Sequence, residues 1–167
     1  NVQHSYTGVQ TYNIRLVSTT NEACLDTINK TVKTLAMPVA NYTFNYDKYC
    51  LKGNDFQFNS TSSISGNAPM THRWYYGDND SLINSTFAQH TYLNYGTFDV
   101  TLISSTNVGN CRDTIKKTMT VFPMPVSSFV VDNDKQCFLN NLFNFTSTAN
   151  IPIGTIDATN WTFGDKT

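Results

Sequence analysis

The chain has 167 residues, with 11 Lys plus Arg against 12 Asp plus Glu and a formal net charge of −1. Charged residues are 14% of the chain, below the roughly 25% of an average soluble domain, while 40% hydrophobic and 13% aromatic residues suffice for a packed core. A near-neutral chain with no basic stripe is a poor nucleic-acid binder, since phosphate contacts need clustered Lys and Arg; no apolar run approaches the ~18 residues of a membrane span, and 22 aromatic residues argue against intrinsic disorder.

The opening NVQHSYTG has neither the charged n-region nor the apolar h-region of a signal peptide. The polar share is filled by 20 Asn and 24 Thr. In chain order, Tyr12, Ile14 and Leu16 mark the inward face of a first strand. Gly53-Asn54 signals a turn, and Asp55-Phe56-Gln57-Phe58-Asn59 alternates as a strand. Arg73-Trp74-Tyr75-Tyr76 alternates likewise and runs into the turn Gly77-Asp78-Asn79-Asp80. Thr97–Leu102 places Phe98, Val100 and Leu102 inward, and Asn107-Val108-Gly109-Asn110 turns the chain again. Ile115, Met119 and Val121 mark the strand that follows. Thr, Val, Phe and Tyr favour strands, and Gly, Asn and Asp supply the turns. No window of 11 or more residues has helical periodicity.

An internal repeat organises these elements. His4–Asn21 aligns with His90–Asn107 at an offset of 86. After one inserted residue the offset is 87: Cys24, Asp26, Thr27 and Ile28 match Cys111, Asp113, Thr114 and Ile115. Met37-Pro38-Val39 matches Met124-Pro125-Val126, Cys50 matches Cys137, Phe56 and Phe58 match Phe143 and Phe145, and Trp74, Gly77 and Asp78 match Trp161, Gly164 and Asp165. The Pro-containing joints divide the chain into residues 1–38, the C-terminal part of one unit; 39–124, a complete unit; and 125–167, the N-terminal part of another. This is the pattern of a window on a longer tandem array; mutual completion of the two partial ends between molecules is the alternative. About seven short strands in ~87 residues fit an immunoglobulin-like sandwich. The expected class is all-β, tandem immunoglobulin-like β-sandwiches.

Trp74-Tyr75-Tyr76-Gly77-Asp78 and Trp161-Thr162-Phe163-Gly164-Asp165 resemble the W-x-F-G-D motif of PKD (polycystic kidney disease-type) domains. His90-Thr91-Tyr92, followed by Gly96-Thr97-Phe98-Asp99-Val100-Thr101-Leu102, resembles that family's H-x-Y…G-x-Y-x-V-x-L segment. Two positions depart from the pattern: Asn79 stands where the family's G-D-G has its second Gly, and Gln10 stands at the place of Gly96. The Cys pair of each repeat resembles PKD arrays of Bacteroidota surface proteins, gliding-motility adhesins among them. The resemblance implies extracellular interaction and spacing modules rather than catalysis.

Candidate sites have competing readings. Trp74 and Trp161 are either ligand platforms or core residues, and a Trp in this strand supplies large buried area between sheets. His4 and His90 lack Cys, Asp or a second His at ligand spacing, which favours a structural hydrogen bond. Asp78-Asn79-Asp80 could contribute oxygens to Ca²⁺, but that ion needs 6–8 of them; turn capping is the alternative. No other cofactor is expected. No nucleophile elbow, H-E-x-x-H or phosphate loop is present, so the chain is not expected to be an enzyme.

Four Cys in a chain of low charge suggest an oxidising compartment. In an immunoglobulin-like order Cys50 and Cys111 fall at opposite ends of a unit, ~20 Å apart, too far for the ~7 Å Cα separation of a disulfide. Cys24, Cys50, Cys111 and Cys137 are therefore expected to pair with cysteines of neighbouring units. Asn-x-Ser/Thr occurs at Asn29, Asn41, Asn59, Asn79, Asn84, Asn144 and Asn160, as an Asn/Thr-rich composition produces by chance. The Bacteroidota resemblance instead implies O-glycosylation where Asp-Ser/Thr precedes an apolar residue, at Thr27, Ser81 and Thr114. The functional expectation is a stalk, filament or adhesin segment on a bacterial cell surface, partnered by neighbouring repeats and by surface polysaccharide or another surface protein. The competing expectation is a carbohydrate-binding accessory array of a secreted hydrolase, which should expose a planar aromatic patch drawn from Tyr42, Tyr46, Tyr49, Tyr75 and Tyr95.

Overall fold

The computed structural model describes residues 1–165; the last two positions of the expected third segment, Lys166 and Thr167, lie outside the described residues. Strands β1 (Thr11–Thr19) and β2 (Leu25–Lys33) pair antiparallel from Thr11↔Lys33 to Thr19↔Leu25. Ten strands follow: β3 (Pro38–Val39), β4 (Tyr42–Phe44), β5 (Lys48–Cys50), β6 (Phe56–Ser60), β7 (Ser63–Ile64), β8 (Met70–Tyr75), β9 (Ser81–Ile83), β10 (Phe87–His90), β11 (Gly96–Thr106) and β12 (Arg112–Phe122). Then come β13 (Phe129–Val131) and β14 (Phe145–Ser147), paired antiparallel. One 3-10 turn, Ser65–Asn67, is present, and no α-helix occurs among the described residues.

The all-β expectation holds, and the sheets take the immunoglobulin-like sandwich arrangement. One layer is β10-β6-β4 and the other β5-β12-β11-β8-β9; β3 and β7 form a short separate pair. β8 runs antiparallel to β11, with Trp74 opposite Leu102 and Arg73 opposite Ile103. β5 joins the edge of β12 in parallel, Lys48 to Cys50 facing Thr120 to Phe122. The edge strands β5 and β9 and the short β3, β4, β7 and β10 carry too few residues for a visible period. Sequence alternation therefore found only the longer strands.

By contacts the chain divides into two compact units: Asn1–Phe44, Phe58–Ala88 and Asp99–Lys117 in the first; Asn45–Gln57, Gln89–Phe98 and the residues from Thr118 onward in the second. The first unit buries Tyr42, Phe58, Trp74, Tyr76, Val100 and Leu102. Tyr42 meets the Trp74 ring edge-on at 5.1 Å, and its hydroxyl donates to the buried Val100 carbonyl at 2.8 Å. Burial raises the Tyr42 phenol well above its ordinary pKa. The second unit buries Phe56, Tyr92, Met119 and Val121. There Tyr92 stacks on Phe98 at 3.9 Å and meets Phe56 edge-on at 5.4 Å. Period 2 puts alternate residues on opposite faces, so Val100, Leu102 and Ser104 are buried while Thr101, Ile103 and Ser105 are only partly covered.

Specific backbone and side-chain bonds recur with the sequence period. Thr20 N donates to Cys24 O at 3.0 Å, as Thr106 N does to Cys111 O at 2.9 Å. Thr61 N donates to Asn41 O, and Thr148 N to Ser128 O, each at 2.8 Å. Asn54 Nδ2 donates to Leu51 O at 2.7 Å, and Asn141 Nδ2 to Phe138 O at 2.6 Å.

Candidate functional site

The Trp74–Asp80 segment closes β8 and opens β9. Trp74 is fully buried, and its indole Nε1 donates to Ser85 O at 2.9 Å. Tyr76 is buried next to Phe58, and its phenol is pushed up to about 12, chiefly by burial and secondarily by the charges of Asp80 and Asp78. Gly77 turns the chain at φ 86°, and a Cβ there would lie 2.9 Å from the Asp99 backbone nitrogen. Only glycine combines that conformation with so close an approach. Asp78 Oδ1 accepts from Asp80 N at 3.2 Å, and Asp80 Oδ1 from Ser81 N at 2.7 Å, so both carboxylates cap the turn. Among the described residues no group of three or more His, Cys, Asp or Glu side chains is placed to hold a metal ion.

His90 and Tyr92 are buried together, rings edge-on at 4.6 Å, and Gly96 opens β11 at φ 152°. His4 is exposed and meets Tyr6 edge-on at 4.7 Å. The second copy of the motif is placed differently. Trp161 meets Phe129 and Phe145 at 5.3 and 5.9 Å but is exposed, as is Phe163. Residues 160–164 form no strand, and Asp165 ends the described chain. The alternation that makes β8 a strand is realised only where neighbouring strands supply hydrogen bonds. Gly164 keeps the left-handed conformation of Gly77, at φ 76°, with open space around it.

All four cysteines are free thiols, Cys24, Cys50 and Cys137 exposed and Cys111 partly so. No two of them pair with each other, and the partners expected for them lie in neighbouring units. Cys24 and Cys111 lie in equivalent hairpin loops, whereas Cys50 ends β5, registered against Phe122, rather than lying in a hairpin turn. Thr27 and Thr114 are exposed on β2 and β12, and exposed Ser81 begins β9. Asp113, beside Thr114, accepts from Ala40 N at 2.8 Å, which holds its carboxyl below the usual range.

Sequence reading missed three buried polar residues. Asn54, read as a turn residue, is buried: its Nδ2 donates to Tyr92 O at 2.9 Å and its Oδ1 accepts from Tyr92 N at 2.7 Å. His72 and Ser104 are also buried, with His72 Nδ1 3.1 Å from Ser104 Oγ. Ser104 Oγ donates to Ser62 Oγ at 2.7 Å, and Ser62 Oγ to Asn41 O at 3.2 Å. Burial lowers the His72 pKa by disfavouring the charged ring. This Ser–His network gives no substrate access, since Ser104 is completely covered. The signal for His72 and Ser104 lay in the alternation, since they occupy inward positions of β8 and β11, whereas Asn54 lies in no strand.

The motif order, the buried Trp74 and the glycine-dependent Gly77 turn agree with a family comparison: the sequence model for the PKD domain matches residues 35–121, just over half of the chain. The chain belongs to the PKD domain family. No curated protein matches it. Among the solved structures similar to it are the following two. One is the PKD1 domain from Vibrio cholerae metalloprotease PrtV, 22% identical, with a TM-score of 0.43, over 51% of this chain and 96% of that one. The other is described under the promiscuous specificity of carbohydrate-binding modules from the beta-sandwich super family; it is 18% identical, with a TM-score of 0.47, over 59% of this chain and 49% of that one.

Both departures from the PKD pattern have local explanations. Asn79 adopts φ 76°, a left-handed conformation that Asn tolerates better than most residues. Gln10 forms a two-bond closure with Thr34: Thr34 N donates to Gln10 O and Gln10 N to Thr34 Oγ1, each at 3.0 Å. Of the tyrosines proposed as an aromatic patch, Tyr42 is buried and Tyr49 partly so; Tyr46, Tyr75 and Tyr95 are exposed. Tyr46 meets Tyr49 edge-on at 5.5 Å, so those two rings do not form one flat platform. No helix is long and apolar enough to cross a membrane, among the described residues.

Proposed function

We propose that this chain is part of a non-catalytic, extracellular tandem array that serves as a stalk, filament or adhesin segment on a bacterial cell surface. The observation that carries the reading is the unequal burial of equivalent positions. Leu102 is 0% exposed and its counterpart Leu16 60%; Trp74 is 0% exposed and its counterpart Trp161 37%. The hairpin β1–β2 and the segment after Pro125 each carry the apolar pattern of a sandwich and lack the strands that would cover it. Further units of the same chain would supply them, and the recurring hydrogen bonds support the equivalence. In such an array the function is mechanical: interstrand hydrogen bonds resist extension, and short Pro joints limit bending. Neighbouring repeats are the primary partners. Bridges from Cys24, Cys50, Cys111 and Cys137 to cysteines of adjacent units would stiffen the joints, and O-glycans at Thr27, Ser81 and Thr114 would shield a weakly charged surface. Pulling the parent array by force spectroscopy should give evenly spaced unfolding events; a single irregular event would overturn the reading. A second reading, a carbohydrate-binding accessory module of a secreted hydrolase, draws support from an open polar depression on the outer face of the five-stranded sheet. A hydrolase motif elsewhere in the parent chain would favour it.

A further inference from the structure

The outer face of β8, β9 and β11 differs from the rest of the surface. Arg73 stands opposite Ile103 on one side and Ile83 on the other, in one row across three strands. Tyr75 heads the adjacent row, opposite Thr101 and Ser81, and Thr71 is opposite Ser105. Residues directly opposite in an antiparallel pair share a face, and the intervening His72, Trp74, Leu102 and Ser104 are buried on the other side. The outward side chains line an open depression of about 320 Å³, which Arg112 also enters. Ser105 and Arg112 continue into a second depression, of about 400 Å³, that reaches Asn110.

Two of the chain's three arginines meet here, and no carboxylate lines either depression. Arg73 Nη1 donates to Tyr75 Oη at 3.2 Å, which fixes the guanidinium over the sheet. Among the described residues neither arginine has a carboxylate partner. A planar guanidinium presents paired N–H donors that fit a carboxylate or sulfate in two-point fashion. Around them Asn84 and Ser105 offer hydrogen-bonding groups for hydroxyls, and Ile83 and Ile103 offer apolar surface to the C–H face of a sugar ring.

We propose that this face binds a linear acidic polysaccharide, with Arg73 and Arg112 each engaging a carboxylate or sulfate on the sugar chain. The inference rests on the extracellular reading above and names a ligand class for that module. A polynucleotide is a poorer fit: two arginines on a chain of net charge −1 supply few phosphate contacts, whereas the surrounding amide, hydroxyl and aliphatic groups match hydroxylated rings.

The test is affinity electrophoresis of the 167-residue chain through gels containing a polyuronate, a dextran sulfate or neutral dextran, with single-stranded DNA as a competitor. Retardation is expected in the two acidic gels and absent in dextran; the stronger of the two identifies carboxylate or sulfate as the group read. The pair Arg73→Lys and Arg112→Lys keeps charge but loses the fork, and should weaken retention about ten-fold or more, the scale of a lost charge-assisted hydrogen bond. Lys30→Gln with Lys33→Gln, on the β1–β2 hairpin, should leave retention unchanged. Absence of retardation in both acidic gels, equal retention in dextran, equal loss from the lysine pair, or displacement by single-stranded DNA at equal charge would each overturn the proposal. Force spectroscopy reads the array independently, so failure of one reading does not imitate failure of the other. Unchanged urea midpoints for the arginine variants would show that their effect is not unfolding.

Discussion

Asn54 pairs with Tyr92 as though it were a strand. Its amide nitrogen donates to Tyr92 O at 2.9 Å, its amide oxygen accepts from Tyr92 N at 2.7 Å, and both residues are buried. The same amide nitrogen also serves Leu51 O. Asn54→Ala would leave a buried N–H and C=O without partners, and should cost about 2–3 kcal/mol. Asn141→Ala, at the exposed equivalent position, should cost under about 1 kcal/mol. Urea denaturation of the two variants checks the contrast; equal losses would contradict the assigned role of Asn54.

Gly77 and Gly164 share a left-handed backbone, with φ 86° and 76°, but differ in their surroundings. Alanine at Gly164 should cost only the conformational term, about 1 kcal/mol. Alanine at Gly77 should cost distinctly more, because its Cβ would press on Asp99 backbone atoms that cannot move without disturbing β11. Thermal melts of G77A and G164A should separate clearly.

His72 makes stability pH-dependent. Its pKa in the folded chain is lowered from the ordinary value of 6.5 because burial disfavours the charged ring. The unfolded chain therefore binds the proton more readily, and the contribution is fully present above about pH 6.5 and lost as pH falls toward the folded value. His72→Gln should flatten the slope of the urea midpoint between about pH 7.5 and 5.5 relative to the parent chain. Parallel slopes would exclude His72 as the titrating group.

The two tryptophans should respond differently to a quencher. With Trp74 replaced by Phe, the remaining Trp161 emission should be readily quenched by acrylamide; with Trp161 replaced, the remaining Trp74 emission should be protected, since the exposures are 37% and 0%. Lengthening the chain by the rest of the next unit should protect Trp161 as well, if the array reading holds.

The sequence by itself determined the class of fold and the family. The long strands β8, β11 and β12 were legible because alternation leaves a readable period over six or more residues, and the turns were legible because Gly, Asn and Asp stand where the backbone needs them. Short strands such as β3, β7 and β9 were not legible: two or three residues carry no period. The tertiary structure alone decided the fate of equal motifs. Trp74 and Trp161 open the same motif, a Trp followed by an aromatic residue, Gly and Asp, yet only Trp74 is sealed, because burial depends on strands distant in the chain rather than on neighbours. The same holds for Asn54, a turn residue by its sequence, which became a buried bridge only when Tyr92 arrived from 38 residues away. It holds too for Arg73 and Arg112, scattered charges in the sequence that the ladder of β8, β9 and β11 and the turn into β12 bring to one depression.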